Sequence, residues 1–439
     1  MPFYTPPPSR PVERALLVGV KLPGSTFLEE EANIAELSLL ARSAGAIISD
    51  STVQQRTRLD GSTYIGAGKL EELADRVGEG DVDLVIFDDD LSPAQARNIE
   101  KRLGVNVIDR TELILDIFAR RARTRQARIQ VEIAQLTYAL PRLRRLWEHL
   151  SRQAGGIGTR GPGETQIEVD RRRIRERIAG LKRELERIEG RARERRKQRR
   201  GLYNVTIVGY TNAGKSTLLN RLAGSGVLES GRLFSTLDST TRRVEVPDTG
   251  TVLVTDTIGF IRKLPAHLVA SFHATLLDVE EADLLLHLVD ASDPQREDRI
   301  RVVNDVLRRI LVAGGAGDGR EGRPTHLPTV LVFNKIDLLP DGGDVSQLAS
   351  RHPDAIRVSA STGEGIDRLL ETVRMHAGRD SLSVEVAVPA GDGKAISFVE
   401  ENAVVYSREV DGETIRFRVR IHRRDAGRLE RIAGVRVIR

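Results

Sequence analysis

Residues 205–216 have the sequence Val-Thr-Ile-Val-Gly-Tyr-Thr-Asn-Ala-Gly-Lys-Ser, and this stretch decides the fold of the middle of the chain. Its first four residues predict a buried strand, and Thr217–Leu222 after it predict a helix. The glycines of the pattern G-x-x-x-x-G-K-S let successive backbone N–H groups turn toward phosphates. Lys215 then reaches the β- and γ-phosphate oxygens, and the Ser216 hydroxyl can bind Mg²⁺. This succession predicts a doubly wound α/β domain that binds a nucleotide.

A second motif predicts which base is bound. Val330–Phe333 is typical of a buried strand, and Asn334-Lys-Ile-Asp337 stands at its carboxyl end, where doubly wound sheets bind ligands. The Asp337 carboxylate can accept hydrogen bonds from N1–H and the 2-amino group of guanine, which adenine lacks. Ser359-Ala-Ser361, at the end of another predicted strand, can offer a backbone N–H to guanine O6. The pair of motifs therefore predicts a preference for guanine.

The metal and the reacting phosphate are predicted to meet a third motif. Thr251–Thr255 is a predicted strand that ends in Asp256-Thr-Ile-Gly259, a pattern in which the aspartate holds Mg²⁺ through water and the glycine N–H contacts the γ-phosphate. We therefore expect Lys215, Asp256 and Gly259 to be the catalytic residues. The next residue is Phe260, where many GTP-hydrolysing switches carry a glutamine that orients water. The catalytic group must then come from a nearby residue, a rearranged loop or a partner.

The loop before this motif contains Phe234-Ser-Thr-Leu-Asp238. We expect Thr236 to bind Mg²⁺ in the GTP state and to release it after hydrolysis. The spacing leaves two rival candidates, Thr240 and Thr241.

Composition narrows the function classes. A chain of 439 residues is long enough for about three domains. It contains no cysteine, which excludes disulfides, thiolate nucleophiles and cysteine metal sites. There is no apolar run long enough to span a membrane, and the first residues do not have the pattern of a signal peptide. The sequence therefore predicts a cytoplasmic protein without stable membrane insertion, for which peripheral membrane association stays open.

Charge is concentrated in one region. Residues 120–200 carry a net charge of +15, although the whole chain carries only +5. One basic region on an otherwise acidic chain is typical of contact with a polyanion, here RNA, DNA or an anionic membrane.

Four domains are predicted along the chain. Residues 1–119 have the strand and helix pattern of a small α/β domain. Residues 120–200 have apolar heptads in two segments, predicting an antiparallel helical hairpin, kinked at Pro141, with a glycine-rich tip loop at Gly155–Glu164. Residues 201–378 form the nucleotide-binding domain with the P-loop, and residues 379–439 are predicted as a small α+β domain.

These motifs together resemble the HflX family, a group of translation-factor-like GTPases. The resemblance rests on the phosphate loop, Phe-Ser-Thr-Leu-Asp, Asp-Thr-Ile-Gly-Phe and the tip sequence Gly-Gly-Ile-Gly-Thr-Arg-Gly-Pro-Gly-Glu, and it covers most of the chain. It implies a GTP hydrolase. Because Phe260 stands in place of the glutamine, we expect hydrolysis to be slow alone and stimulated by a partner, and we expect a monomer. The implied partners are the 50S subunit, the 70S ribosome and ribosomal RNA, with splitting of stalled or idle 70S ribosomes under stress. The family usually has proline where this chain has Ser239.

Residue by residue, the resemblance implies that GTP or GDP is held with Mg²⁺, the metal being bound by Ser216 and Thr236. The implied nucleotide contacts are Gly209, Tyr210, Thr211, Asn212, Ala213, Gly214, Lys215, Ser216, Phe234, Ser235, Thr236, Leu237, Asp238, Asp256, Thr257, Ile258, Gly259, Asn334, Lys335, Ile336, Asp337, Ser359, Ala360 and Ser361. Two other classes fit the sequence less well. One is an RNA-modification or ribosome-assembly GTPase that uses the hairpin as an RNA clamp. The other is a membrane-recruited switch, which the lack of a lipidation cysteine disfavours.

Overall fold

The structure, a computed structural model, describes residues 12–143, 163–197, 202–224, 239–247, 249–263, 278–315, 327–339, 343–379 and 381–438. These residues form two compact units. The first consists mainly of residues up to Glu186, together with Lys263, and the second consists mainly of residues from Arg187 onward. The predicted loop Phe234–Asp238 and residues 155–162 of the predicted tip lie outside the described residues.

The first unit begins with a four-stranded parallel sheet in the order β2-β1-β3-β4. Its strands are β1 (Arg14–Lys21), β2 (Ile47–Gln55), β3 (Leu84–Phe87) and β4 (Asn106–Asp109). The helices of this part are α1 (Phe27–Ser43), α2 (Ala67–Gly78), α3 (Pro93–Leu103) and α4 (Arg110–Arg121). The expected small α/β domain is confirmed, and α4 is an element that the sequence pattern had not separated.

Local caps explain where these helices begin. The Thr26 side chain accepts a hydrogen bond from the Glu29 backbone, and the Glu29 carboxylate accepts one from the Thr26 N–H, so two otherwise unpaired donors are satisfied. Ser92 and Gln95 do the same for α3, with Pro93 at the first helical position.

The helical hairpin is built from α5 (Arg125–Ala139), a short 3-10 turn at Leu140–Arg142, and α6 (Gly163–Lys197). The turn contains Pro141, where the kink was expected. Arg125 of α5 pairs with Glu184 of α6, and Glu132 of α5 pairs with Arg177 of α6. The second pair lies seven residues later in α5 and seven residues earlier in α6. The two arms are therefore antiparallel, as the heptads predicted. Their seam is buried at the apolar residues Ile129, Ile133, Leu136, Leu143, Ile174 and Leu181.

The second unit contains a six-stranded sheet in the order β10-β9-β8-β5-β7-β6, parallel except for β6. Its strands are β5 (Asn204–Gly209), β6 (Thr240–Val246), β7 (Gly250–Asp256), β8 (Leu284–Asp290), β9 (Thr329–Asn334) and β10 (Ile356–Arg357). The helices are α7 (Lys215–Leu222), α8 (Arg296–Gly315), α9 (Gly343–Arg351) and α10 (Ile366–Arg379). Apolar residues of α7 and α10 pack on one face of the sheet, and this core holds the strand ends in place.

The chain continues into an antiparallel sheet in the order β12-β13-β11-β14. Its strands are β11 (Ser381–Pro389), β12 (Ala403–Asp411), β13 (Thr414–His422) and β14 (Arg436–Ile438), with helices α11 (Gly393–Asn402) and α12 (Arg423–Leu429). The predicted α+β architecture is confirmed, and α11 and β14 are additions to it.

Candidate active site

The phosphate loop joins β5 to α7 and needs its glycines for two physical reasons. Gly214 has a φ of +91°, a left-handed conformation that costs a side chain energy, and a Cβ there would collide with the Asn334 amide. A Cβ on Gly209 would collide with the carbonyl oxygen of Leu288 on the neighbouring strand. Gly259 also packs against the phosphate loop, because a Cβ there would lie 2.7 Å from the Thr211 Cα and 2.9 Å from the Lys215 Nζ.

Lys215 lies inside this loop. Its ammonium donates hydrogen bonds to the carbonyl oxygens of Tyr210 at 3.0 Å and Gly209 at 3.3 Å, and the residue is 7% exposed. Burial lowers the pKa of Lys215 to about 8, while the nearby Asp256 carboxylate acts in the opposite direction. Neutral carbonyls compensate a buried cation only in part. The geometry therefore favours an anionic ligand at this position.

Ser216 and Asp256 supply the chemistry of a metal site. The Ser216 hydroxyl donates to Asp256 Oδ2 at 2.6 Å, and both residues are buried. A hydroxyl beside a carboxylate is a hard oxygen donor set, which fits Mg²⁺ with water and phosphate oxygens as its remaining ligands. The third expected ligand group, Thr236, lies outside the described residues. Of its rivals, the Thr241 hydroxyl is 3.0 Å from that of Thr255 between β6 and β7, and Thr240 begins β6.

Asn334 links the phosphate loop to the loop predicted to meet the base. Its amide nitrogen donates to the Ala213 carbonyl at 2.8 Å, and its amide oxygen accepts from the Ala360 N–H at 2.9 Å. Asn334 is buried at the end of β9. One side chain thus fixes the distance between the two loops.

Asp337 and Ser361 meet beside this link. The Ser361 hydroxyl donates to Asp337 Oδ2 at 3.2 Å and lies 3.0 Å from the Ser359 hydroxyl. Asp337 is exposed, so its carboxylate is accessible to a ligand. Lys335 has a left-handed backbone, and its ammonium pairs with Asp290 at 2.6 Å.

Phe260 is part of the core beside the phosphate loop. Its N–H donates to the Gly209 carbonyl at 3.1 Å, and its carbonyl accepts from the Thr211 N–H at 2.8 Å. The residue is 4% exposed. Two residues later, the Arg262 N–H donates to the Tyr210 hydroxyl at 2.7 Å, and the Arg299 guanidinium stacks 3.9 Å from the Tyr210 ring centre. Backbone hydrogen bonds therefore hold the segment of Phe260 and Arg262 against the phosphate loop.

The structure thus brings Gly209–Ser216, Asp256–Gly259, Asn334–Asp337 and Ser359–Ser361 to one edge of the sheet. Two neighbours were missed by sequence reasoning. Asp290 at the end of β8 holds Lys335, and recognition of β8 as a strand would have indicated it. Arg221 of α7 donates to the Ala360 and Ser361 carbonyls, and no local pattern signals that contact.

A doubly wound sheet with this phosphate loop, a hydroxyl–carboxylate pair and Asn-Lys-Ile-Asp at a strand end defines the class of P-loop GTPases. Four family models match successive parts of the chain. They are described as GTP-binding GTPase N-terminal (residues 31–119), GTP-binding GTPase middle region (121–199), 50S ribosome-binding GTPase (204–335) and HflX C-terminal domain (344–437).

Curated relatives give the particular family. The chain is 46% identical to GTPase HflX of Magnetococcus marinus over 401 residues, which is 90% of each chain. It is 42% identical to GTPase HflX of Escherichia coli over 386 residues, 87% of each chain. The chain belongs to the HflX family of GTPases. The expected resemblance, and with it the expectation of a GTP hydrolase that uses guanine nucleotide and Mg²⁺, is confirmed.

Among solved structures, the chain is similar to a GTP-binding protein of Sulfolobus solfataricus in complex with GDP. That similarity has 23% identity and a TM-score of 0.42, and covers 84% of this chain and 99% of the other. Within the described residues, none of the helices combines the length and the apolar character needed to cross a membrane.

Proposed function

We propose that this chain is a GTP hydrolase that binds the large ribosomal subunit and, in its GTP state, splits stalled or idle 70S ribosomes. Hydrolysis is slow in the free protein and faster on the ribosome, where the protein acts as a cytoplasmic monomer. The match of residues 204–335 to a 50S ribosome-binding GTPase model supports the partner. The charge of +15 on residues 120–200 supports ribosomal RNA as the contact.

The observation that carries stimulated hydrolysis is Phe260. A buried phenylalanine fastened to the phosphate loop by two backbone hydrogen bonds has no group that orients water. A partner surface supplies what the position lacks. The free protein is then expected to hold GTP long enough to reach its target.

The proposal keeps the domain boundaries 1–119, 120–200, 201–378 and 379–439. It assigns Lys215, Asp256 and Gly259 to the reacting phosphate and Ser216 and Thr236 to Mg²⁺. Guanine is assigned to Asn334–Asp337 and Ser359–Ser361. Gly209–Gly214 and Thr257–Ile258 are assigned to the phosphate side, and Phe234–Asp238 is assigned to nucleotide binding.

A sedimentation experiment tests the partner and the reaction together. Purified 70S ribosomes are mixed with the protein and either GDP or a non-hydrolysable GTP analogue, and sucrose gradients separate 70S from free subunits. We expect 50S binding and loss of the 70S peak with the analogue only. If the protein binds 50S subunits but the 70S peak stays unchanged, the chain docks on the ribosome and does not split it. If the protein is absent from both the 50S and the 70S peaks, the proposal is wrong.

The hairpin arms are tested by their salt dependence. Arg175, Lys182, Arg187 and Arg191 are exposed on α6. Changing all four to glutamine should weaken binding to 50S and flatten its decline with salt, because fewer counterions are released. The matched control is Arg177→Gln with Glu132→Gln, which removes an ion pair and leaves the net charge unchanged. If the wild type and the fourfold variant bind 50S subunits equally well, the arginines and lysine of α6 only face solvent and make no contact with RNA.

The tip is tested separately. Deleting Gly155–Gly163 should leave 50S binding mostly intact and abolish splitting, because the arms supply attraction and the tip supplies reach. A tip deletion that splits 70S ribosomes normally would remove the tip from the mechanism.

The base assignment is tested at Asp337. Asp337→Asn replaces an acceptor by an amide, and it should shift preference from guanine to xanthine nucleotides. Titration with fluorescent GDP and XDP measures both affinities. Unchanged GDP affinity in the variant would remove Asp337 from base recognition.

A further inference from the structure

Arg221 lies in the last turn of α7, the helix that begins at the phosphate loop, and its contacts lie far along the chain. Its Nε donates to the Ala360 carbonyl at 3.0 Å, and its Nη2 donates to the Ser361 carbonyl. A guanidinium has a planar, fixed set of donors, so two bonds from one side chain fix both position and orientation. The contact joins residues 139 and 140 positions apart.

The bond from Arg221 Nε to the Ala360 carbonyl fixes the orientation of the Ala360–Ser361 peptide group. In a trans peptide the carbonyl and the following N–H point in opposite directions. Because Arg221 binds the Ala360 carbonyl, the Ser361 N–H is directed away from α7. Within the described part of the chain, this N–H makes no hydrogen bond, whereas the Ala360 N–H already donates to Asn334. The Ser361 amide is therefore the donor that remains for a ligand.

The position of this donor matches the edge of guanine. The Ser361 hydroxyl donates to Asp337 at 3.2 Å, so an amide donor and a carboxylate acceptor stand side by side. Guanine presents the complementary pair on neighbouring atoms, O6 as acceptor and N1–H as donor. A cation on the carbonyl also polarises the peptide and strengthens its N–H as a donor.

We infer that Arg221 is a positioning residue for guanine recognition: it orients the Ala360–Ser361 peptide so that the Ser361 N–H meets O6. The inference rests on the proposed assignment of guanine to Asp337. Arg221 acts through the loop and touches neither the base nor the phosphates. The contribution of Arg221 to nucleotide affinity therefore depends on how well the atom at position 6 of the base accepts a hydrogen bond.

The test compares GDP with 6-thio-GDP, which keeps N1–H and the 2-amino group but has a weakly accepting sulfur at position 6. In the full-length chain, Arg221→Ala should lower GDP affinity about tenfold and 6-thio-GDP affinity by less than about threefold. Arg221→Lys, with one point charge in place of a planar fork, should fall between wild type and Arg221→Ala. Arg309→Ala, which removes an exposed arginine of α8, is the matched control and should change neither affinity.

The outcomes separate the inference from the base assignment. Equal losses for both nucleotides would show that Arg221 only supports the fold of the loop or of α7, and no loss for either would show that it has no role. Both results overturn the inference. Measuring Asp337→Asn with GDP and XDP in the same series decides the base assignment independently. If Asp337→Asn changes base preference while Arg221→Ala leaves GDP affinity intact, only the role of Arg221 is wrong.

Discussion

The two units of this chain each bury a cation, and they compensate it differently. In the first unit Arg110 is 2% exposed and pairs with two buried carboxylates, Glu36 and Asp88, the latter at 2.6 Å. In the second unit Lys215 is 7% exposed and donates to two neutral carbonyls. Burial costs a charge several kcal/mol unless it is paired. A buried cation paired with carboxylates belongs to the structure, whereas a buried cation hydrogen-bonded to neutral carbonyls indicates a ligand.

One carboxylate partner of Arg110, Asp88, also contacts a second cation. Asp88 also accepts from Lys263 at 2.6 Å, and burial still raises the pKa of Asp88. Three aspartates in a row at residues 88–90 have the sequence pattern of a solvated loop and cap. For Asp88 that interpretation is wrong, because it is 1% exposed.

The largest effect on stability is expected at Arg110. Arg110→Ala removes the guanidinium that neutralises Glu36 and Asp88, and should lower the free energy of unfolding by about 3–5 kcal/mol. Urea unfolding followed by circular dichroism measures it. The control is Arg102→Ala, which breaks an exposed pair with Glu71 and should cost less than about 1 kcal/mol. Similar losses for both variants would show that the buried pairing has no special weight.

Lys215 should behave in the opposite way. Lys215→Ala removes a desolvated cation from the free protein, so the free energy of unfolding should change by less than about 1 kcal/mol. Affinity for GTP should fall on the order of 100-fold, because charged hydrogen bonds to the phosphates are lost. Unfolding without nucleotide and fluorescent-GTP titration give the two numbers. If Lys215→Ala loses much stability and keeps its affinity for GTP, Lys215 is a structural cation like Arg110.

A third buried group avoids charge altogether. His287 lies in β8 opposite Val208 and Leu331, is 2% exposed, and its Nε2 has no hydrogen-bond partner among the described residues. Burial lowers the pKa of His287 to about 4. Between pH 6.5 and 4 the unfolded chain therefore binds a proton that the folded chain does not, and stability falls as pH falls.

This gives an expected loss of about 2 kcal/mol between pH 7 and pH 5 from His287 alone. His287→Leu should remove that part of the pH dependence, since leucine matches its neighbours in β8 and does not titrate. The measurement is the difference between wild-type and variant unfolding free energies at the two pH values. Parallel pH profiles would show that His287 has the same pKa in the folded and the unfolded chain.

The sequence predicted those helices, strands and motifs that are marked by nearby residues, such as caps, turns and contiguous motif patterns. The capping pair Thr26 and Glu29 marks the start of α1 in the sequence, and the four motifs of the candidate site are each contiguous and follow an apolar strand. The strand β8 was not predicted, since Leu284–Asp290 has no turn signal that separates it from a helix.

Contacts between distant residues were the other omission. Arg110 and Glu36 are 74 positions apart, and Arg221 and Ala360 are 139 apart. Charge pairing at such separations depends on how sheets and helices pack. Neither the amino-acid composition nor the spacing of residues in a motif predicts it. The metal and base motifs were accessible because each is contiguous in the chain.

The smallest effect is expected at Phe260, where the side chain belongs to the core although the neighbouring backbone belongs to the site. Phe260→Gln should leave single-turnover hydrolysis by the free protein within about threefold of wild type, because catalysis needs a positioned water as well as an amide. Phe260→Leu is the matched control, which changes size without adding an amide. The same two variants are assayed with ribosomes. Acceleration of the free protein by more than about tenfold in Phe260→Gln but not in Phe260→Leu would show that a glutamine can orient water here, and that no group from a partner is required.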